Sequence, residues 1–338
     1  MSDRERIYVF IWLAICAFLV FCMVLLGGAV RLTGSGLSMV DWKPVMGVLP
    51  PLDEEQWTEA FRLYQNFPEY RLVNKDMELT GFKFIFLMEY AHRILGRVIG
   101  LVFFIPFIVF LFWGNIYSAL KIRLWVLFSL GGLQGIMGWY MVKSGLVDVP
   151  NVSQYRLVAH LMMAVIIYGF MVRILVGLYS NQLESSKSNK IIGAGLILVI
   201  LLMIASGGFV AGTKAGFIFN TFPLMGETWI PDQIFALNPV WKNLFENPIL
   251  VQFVHRCLAV GVAVIAFLYA ISNFRQESYQ LKRFSIVILL ALFVQLSLGI
   301  SALIYEIPVI LGVAHQAGAL ILLTVVLIPV FATLQRYC

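Results

Sequence analysis

Eight long apolar runs divide this 338-residue chain, and each is near or above the roughly 20 residues that a helix needs to cross a bilayer. They fall at about 7–30, 82–113, 121–141, 154–178, 190–211, 248–273, 283–304 and 309–334. Such runs are too many and too long to be the buried strands of a compact soluble core. Hydrophobic residues make up 61% of the chain and charged ones 12%, about half the charge a soluble domain carries. The expected fold is an all-α integral membrane protein of eight transmembrane helices. Met1–Arg6 is short and charged, and the first run shows no small-residue cleavage site, so that span is expected to stay in the protein.

Basic residues cluster in alternate connections: Arg4 and Arg6, Lys121 and Arg123, Lys187 and Lys190, then Arg275, Lys282 and Arg283. The positive-inside rule places those ends, and both termini, on the cytoplasmic side. The net charge of +6 is therefore mainly a topology signal, and no basic patch outside these flanks supports nucleic-acid binding. Cys16, Cys22 and Cys257 lie in apolar runs and Cys338 ends the chain, so no outer-loop disulfide is expected. There is no C-x-x-C-H, which excludes covalent c-type haem attachment.

The chain repeats itself. Gly27-Gly28-Ala29-Val30 matches Gly207-Gly208-Phe209-Val210, and Ala91-His92-Arg93-Ile94-Leu95 matches Val254-His255-Arg256-Cys257-Leu258. Further on, Leu133-Gln134-Gly135 through Gly138 matches Val294-Gln295-Leu296 through Gly299, and Val158-Ala159-His160 matches Val313-Ala314-His315. Two tandem pseudo-symmetric four-helix halves follow, 1–180 and 181–338. An even number of spans separates equivalent positions, so both halves enter the membrane from the same side, about an axis along its normal.

The four matched histidines, His92, His160, His255 and His315, are the only ones in the chain. Each is expected about 6–10 residues inside the outer end of its span. An intramembrane histidine is costly unless it faces a cavity, a partner or a bound group. A lone one is often a helix–helix hydrogen bond. Recurrence at matched depth points instead to axial ligands that face each other across an iron, one pair per half. Bare metal ions fit less well, because histidine pairs lack the further cysteine or carboxylate ligands of most zinc sites.

Longer motifs carry a family resemblance. Gly28-Ala29-Val30-Arg31-Leu32-Thr33-Gly34-Ser35-Gly36-Leu37-Ser38-Met39 with Trp42-Lys43-Pro44, then Glu89 through Arg97, then Phe219-Asn220-Thr221-Phe222-Pro223-Leu224-Met225-Gly226-Glu227, resemble haem A synthase of the proteobacterial and mitochondrial branch over nearly the whole chain. The resemblance implies a bacterial inner-membrane oxidoreductase that converts the C8 methyl of haem O to a formyl group, making haem A for terminal oxidases with water as the oxygen source. It implies substrate haem O between His92 and His160, and a haem B cofactor on the iron ligands His255 and His315. Implied partners are the farnesyltransferase that makes haem O, an electron acceptor and the bilayer; homo-oligomers are compatible.

Glu89 precedes His92 by three residues, which puts a carboxylate beside the N-terminal site. Acid–base work there is the favoured expectation, and neutralisation of Arg93 at i,i+4 is the alternative. The matching residue of the second half is Gln252. Arg93 and Arg97 in the first half, and Arg256 in the second, are candidate partners of haem propionates, with snorkelling to lipid phosphate as the competing reading. Gly34 and Gly36 read as turn residues. Trp42, Trp57, Tyr64, Phe67, Tyr70, Trp229, Phe235 and Trp241 in the two long outer loops read first as interfacial anchors, and second as lids. Two other classes remain: a di-haem b-type electron-transfer protein linked to quinone, with the same histidine pattern, and a tandem-repeat transporter, which would bind no haem.

Overall fold

The computed structural model describes residues 1–40, 49–112, 114, 116–145, 152–179 and 182–334. Trp42, Lys43, Pro44 and Cys338 lie outside them. Among the described residues eight helices are long and apolar enough to span a membrane. They are α1 (Asp3–Leu32), α2 (Leu79–Phe112), α3 (Ser118–Gly145), α4 (Gln154–Tyr179), α5 (Lys187–Thr213), α6 (Pro248–Phe274), α7 (Tyr279–Ile304) and α8 (Val309–Leu334). Among the described residues the remaining regular structure is a few short helices in the outer connections and one isolated bridge between Met225 and Thr228.

Local chemistry starts and stops these helices. Ser2 and Glu5 form a reciprocal capping box on α1, and Ser186, Asn247 and Ser278 accept backbone N–H groups at the starts of α5, α6 and α7. Past α1 the chain turns through Gly34 at φ 66°, a conformation that glycine adopts freely, as the turn reading expects. At the repeat-equivalent position past α5 stands Lys214, at φ 56°. Pro106 lies inside α2 and cannot donate to the carbonyl four residues back. Trp12 of α1 donates its indole N–H to that carbonyl, Val102 O, at 2.8 Å, and packs its ring between Phe103 and Phe110.

The contacts among spanning helices fall into matched sets. α1 packs on α2 as α5 packs on α6, α3 on α4 as α7 on α8, and α2 on α3 as α6 on α7. Between the halves, α1 meets α8 and α5 meets α4, while α4 packs on α8. α4 and α8 bury 50% and 56% of their most apolar stretches against 11% for α2, which puts them at the centre and α2 at the lipid-facing edge. α2 shares no extended contact with α4, nor α6 with α8, although these helices carry the histidines.

Two expectations change. α2 begins at Leu79, which places His92 thirteen residues in rather than 6–10. The extra turn continues beyond the apolar run because it is packed from outside. The outer segment folds into helices Glu54–Tyr64 and Pro68–Leu72 that lie on it. Tyr64, Phe82, Ile85 and Phe86 are buried there, with Trp57, Phe61 and Tyr70 against them and the Lys83 ammonium 5.5 Å from the Trp57 ring centroid. Trp57, Tyr64 and Tyr70 thus build the core of an outer cap rather than anchor in lipid. Trp229, Phe235 and Trp241 of the second loop are exposed, as an anchoring role requires.

Candidate functional site: two histidine pairs

Each histidine rests on a glycine of a neighbouring helix. A methyl group on Gly27 of α1 would sit 3.3 Å from His92 Nε2 on α2, and one on Gly138 of α3 would sit 3.0 Å from His160 Cε1 on α4. The second half repeats this, with Gly207 of α5 at 3.3 Å from His255 Cε1 on α6 and Gly299 of α7 at 2.7 Å from His315 Cε1 on α8. The missing side chains let each ring approach the neighbouring helix closely. All four imidazoles are half-buried, and each lies within electrostatic reach of its partner: His92 with His160, His255 with His315. The helices bearing each pair share no extended contact with one another.

Polar neighbours orient three of the rings. His255 Nδ1 is 2.6 Å from Ser206 Oγ, and His315 Nδ1 is 3.2 Å from Gln295 Nε2. Gln134, the repeat partner of Gln295, donates to the His160 carbonyl at 3.1 Å and lies 3.5 Å from His160 Nε2. The sequence reading used both glutamines only as repeat markers and passed over Ser206. A glutamine at one matched depth in both halves was itself the available signal, since a buried amide needs partners.

Above the N-terminal pair, Glu89 is 3% exposed and its carboxylate accepts four hydrogen bonds. Ser38 Oγ and the Met39 N–H donate to Oε2 at 2.7 and 2.8 Å. Arg93 donates to Oε1 through Nε at 3.1 Å and also through Nη2, and it reaches the Met39 carbonyl at 3.1 Å. A carboxylate so engaged has no lone pair held ready for a substrate proton. The pairing with Arg93, the alternative expected from sequence, forms.

The second half keeps the device without the charge. Gln252 is 3% exposed and donates to the Phe219 carbonyl at 3.0 Å. Arg256 donates to the carbonyls of Phe219, Thr221, Pro223 and Leu224. In both halves the arginine that directly follows the histidine therefore clamps the matching outer motif, Ser38–Met39 or Phe219–Leu224. Arg97 is half-buried one turn further along α2.

The donor set suits irons that bring their own equatorial ligands. Among the described residues no three His, Cys, Asp or Glu side chains converge, so each pair offers two nitrogens and little else to a metal. His160 Nδ1 and the Oε1 atoms of Gln134, Gln252 and Gln295 are buried without a hydrogen-bond partner. Of these glutamines, only Gln134 and Gln295 also reach a histidine ring, those of His160 and His315. Two axial imidazoles across a gap between helices are what a porphyrin iron takes.

Fold and site together define a polytopic membrane protein whose helices present two half-buried histidine pairs. Comparison with known proteins places it further. Residues 10–327 match the family model COX15-CtaA, cytochrome oxidase assembly protein, and the chain belongs to that family. It is 46% identical over 323 residues to haem A synthase of Nitrosospira multiformis, covering 94% of this chain and 91% of the relative. To haem A synthase of Nitrosomonas eutropha it is 45% identical, with 94% and 91% covered, and to that of Sinorhizobium fredii 42%, with 95% and 89% covered.

Proposed function

We propose that this chain is a haem A synthase, an oxidoreductase of the membrane that converts haem O to haem A. The observation that carries the reading is the pair of glycine-backed histidine sites, repeated in register, in a chain so similar to proteins of that name. The N-terminal half, 1–180, takes haem O between His92 and His160. The C-terminal half, 181–338, holds haem B between His255 and His315. Haem B, if held by His255 and His315, would supply one-electron redox chemistry.

The chain's own residues bind, orient and seal. The four histidines fix the irons, and Gly27, Gly138, Gly207 and Gly299 set the planes of the imidazoles. Glu89 acts as a positioning residue: it ties Ser38, Met39 and Arg93 into one buried unit over the N-terminal pair. Arg256 does the same for Phe219–Leu224 over the second, and Arg97 is a candidate partner of a haem propionate. The outer cap packed on α2 limits access of bulk water to the N-terminal site. Both termini lie on the cytoplasmic side of a bacterial inner membrane, and haem O arrives from the farnesyltransferase within the bilayer.

Extraction and chromatography of bound pigments, after expression with haem O available, tests the assignment. Haem A beside haem B is the expected result. Haem B alone in both halves would mark a di-haem electron carrier, and no haem at all would mark a transporter. Replacing Glu89 by Gln or Ala is expected to cut haem O turnover roughly 10- to 100-fold through misplacement of the outer segment, with haem B content unchanged. Full turnover in both variants would remove Glu89 from the mechanism.

A further inference from the structure

The two histidine pairs differ in how their far nitrogens are held. In the C-terminal half both rings meet a polar side chain at Nδ1: His255 meets Ser206 at 2.6 Å and His315 meets Gln295 at 3.2 Å. With an iron on Nε2, Nδ1 carries the proton and donates. Ser206 Oγ accepts such a proton as it stands. Gln295 presents its amide nitrogen while its Oε1 lies buried without a donor, and a half-turn of the amide puts the oxygen on Nδ1–H.

The N-terminal half has neither bond. His160 Nδ1 is buried with no partner: the Gln134 amide nitrogen donates to the His160 backbone carbonyl at 3.1 Å and approaches the ring only at Nε2, at 3.5 Å. Among the described residues no side chain or carbonyl bonds to the His92 ring. The repeat explains this loss. Gly27 and Gly207 are equivalent, so the position matching Ser206 is Leu26, which offers no hydrogen-bonding atom.

We infer that Ser206 and Gln295 are positioning residues that lock the C-terminal haem in place as a permanent cofactor, and that Leu26 and the unbonded His160 Nδ1 keep the N-terminal site exchangeable. This rests on the reading of the two halves given above. The physical basis is general. An acceptor on the second imidazole nitrogen fixes ring orientation and raises ligand basicity, so it tightens the metal bond and favours the oxidised iron. A site that must take in haem O and release haem A at every turnover gains nothing from such a lock.

The test uses the intact protein with its bound haem b. Ser206→Ala and Gln295→Leu are expected to raise the midpoint potential in a redox titration of that haem's absorbance, and to weaken haem retention on detergent dilution by about 10- to 100-fold. Leu26→Ser is expected to slow the release of haem from the N-terminal half. A potential and a retention both unchanged in Ser206→Ala and Gln295→Leu, in protein that binds haem b normally, would overturn the inference and leave the haem A synthase reading standing. Wild-type protein with no haem would overturn that reading itself. The potential is the decisive measurement, since a packing defect alone does not shift it in one direction in both variants.

Discussion

Glu69 shows what a single residue costs in the outer cap. Its carboxyl is 8% exposed, and burial pushes it up to about 7, with the nearby Glu89 charge adding to the shift and the Tyr64 hydroxyl, 3.3 Å away, opposing it. The folded cap therefore holds a proton that the unfolded segment has lost. For an acid raised in this way, stability is highest below the ordinary carboxylate range, falls as pH rises from about 4.5 to about 7, and is level above. Limited proteolysis of the 49–77 segment is expected to speed up across that window, and Glu69→Gln is expected to abolish the trend; a flat profile in the parent protein would contradict this. The histidines were legible in the sequence because an imidazole in hydrocarbon demands a reason. Glu89's surroundings were not: Ser38 and Met39 lie about fifty residues away along the chain, and only the folded outer segment brings them to the carboxylate.

Helices were the most legible elements, since an apolar run of bilayer length has few alternatives. What sequence could not supply was the way each helix end meets a neighbour. The α2 boundary moved outward because the cap covers its first turns, and no periodicity announces a helix that continues past its apolar run under another segment. Pro106 was equally silent about Trp12. Removing the indole donor with Trp12→Phe leaves the Val102 carbonyl without its partner in an apolar setting, and a loss of about 1–3 kcal/mol is expected in a detergent unfolding titration. No change would mean that the carbonyl finds another donor. Lys214 offers the opposite sign. It occupies the left-handed conformation that its counterpart Gly34 takes freely, so Lys214→Gly is expected to stabilise the α5 end by roughly 0.4–1 kcal/mol. A destabilised variant would show that the lysine side chain contributes more than its backbone costs.

The whole molecule is built by using one packing solution twice. Gly28 of α1 receives Gln316 of α8, and the equivalent Gly208 of α5 receives Leu161 and Val158 of α4. Gln316 then donates to the Val24 carbonyl at 3.0 Å, so the residue after one candidate iron ligand touches the helix that backs another. The junction between halves is tight elsewhere too. A methyl group on Gly212 would lie 2.9 Å from the Gln154 Cα, backbone that cannot step aside. Gly212→Val is accordingly expected to cost about 1–3 kcal/mol and to lower the yield of folded protein, whereas a neutral effect would mean the halves can separate there without loss. The repeat itself was readable because glycines, glutamines and histidines recur in order. The asymmetry within it, Ser206 against Leu26, became meaningful only when the rings were seen to rest beside those positions.

The haem-to-polypeptide ratio, measured as each histidine pair is replaced in turn, tests the central claim most directly. His255→Ala with His315→Ala is expected to remove haem b while haem O still binds the first half, and His92→Ala with His160→Ala to leave haem b in place while haem A formation stops. Both haems bound at unchanged ratio in either double variant would contradict the account.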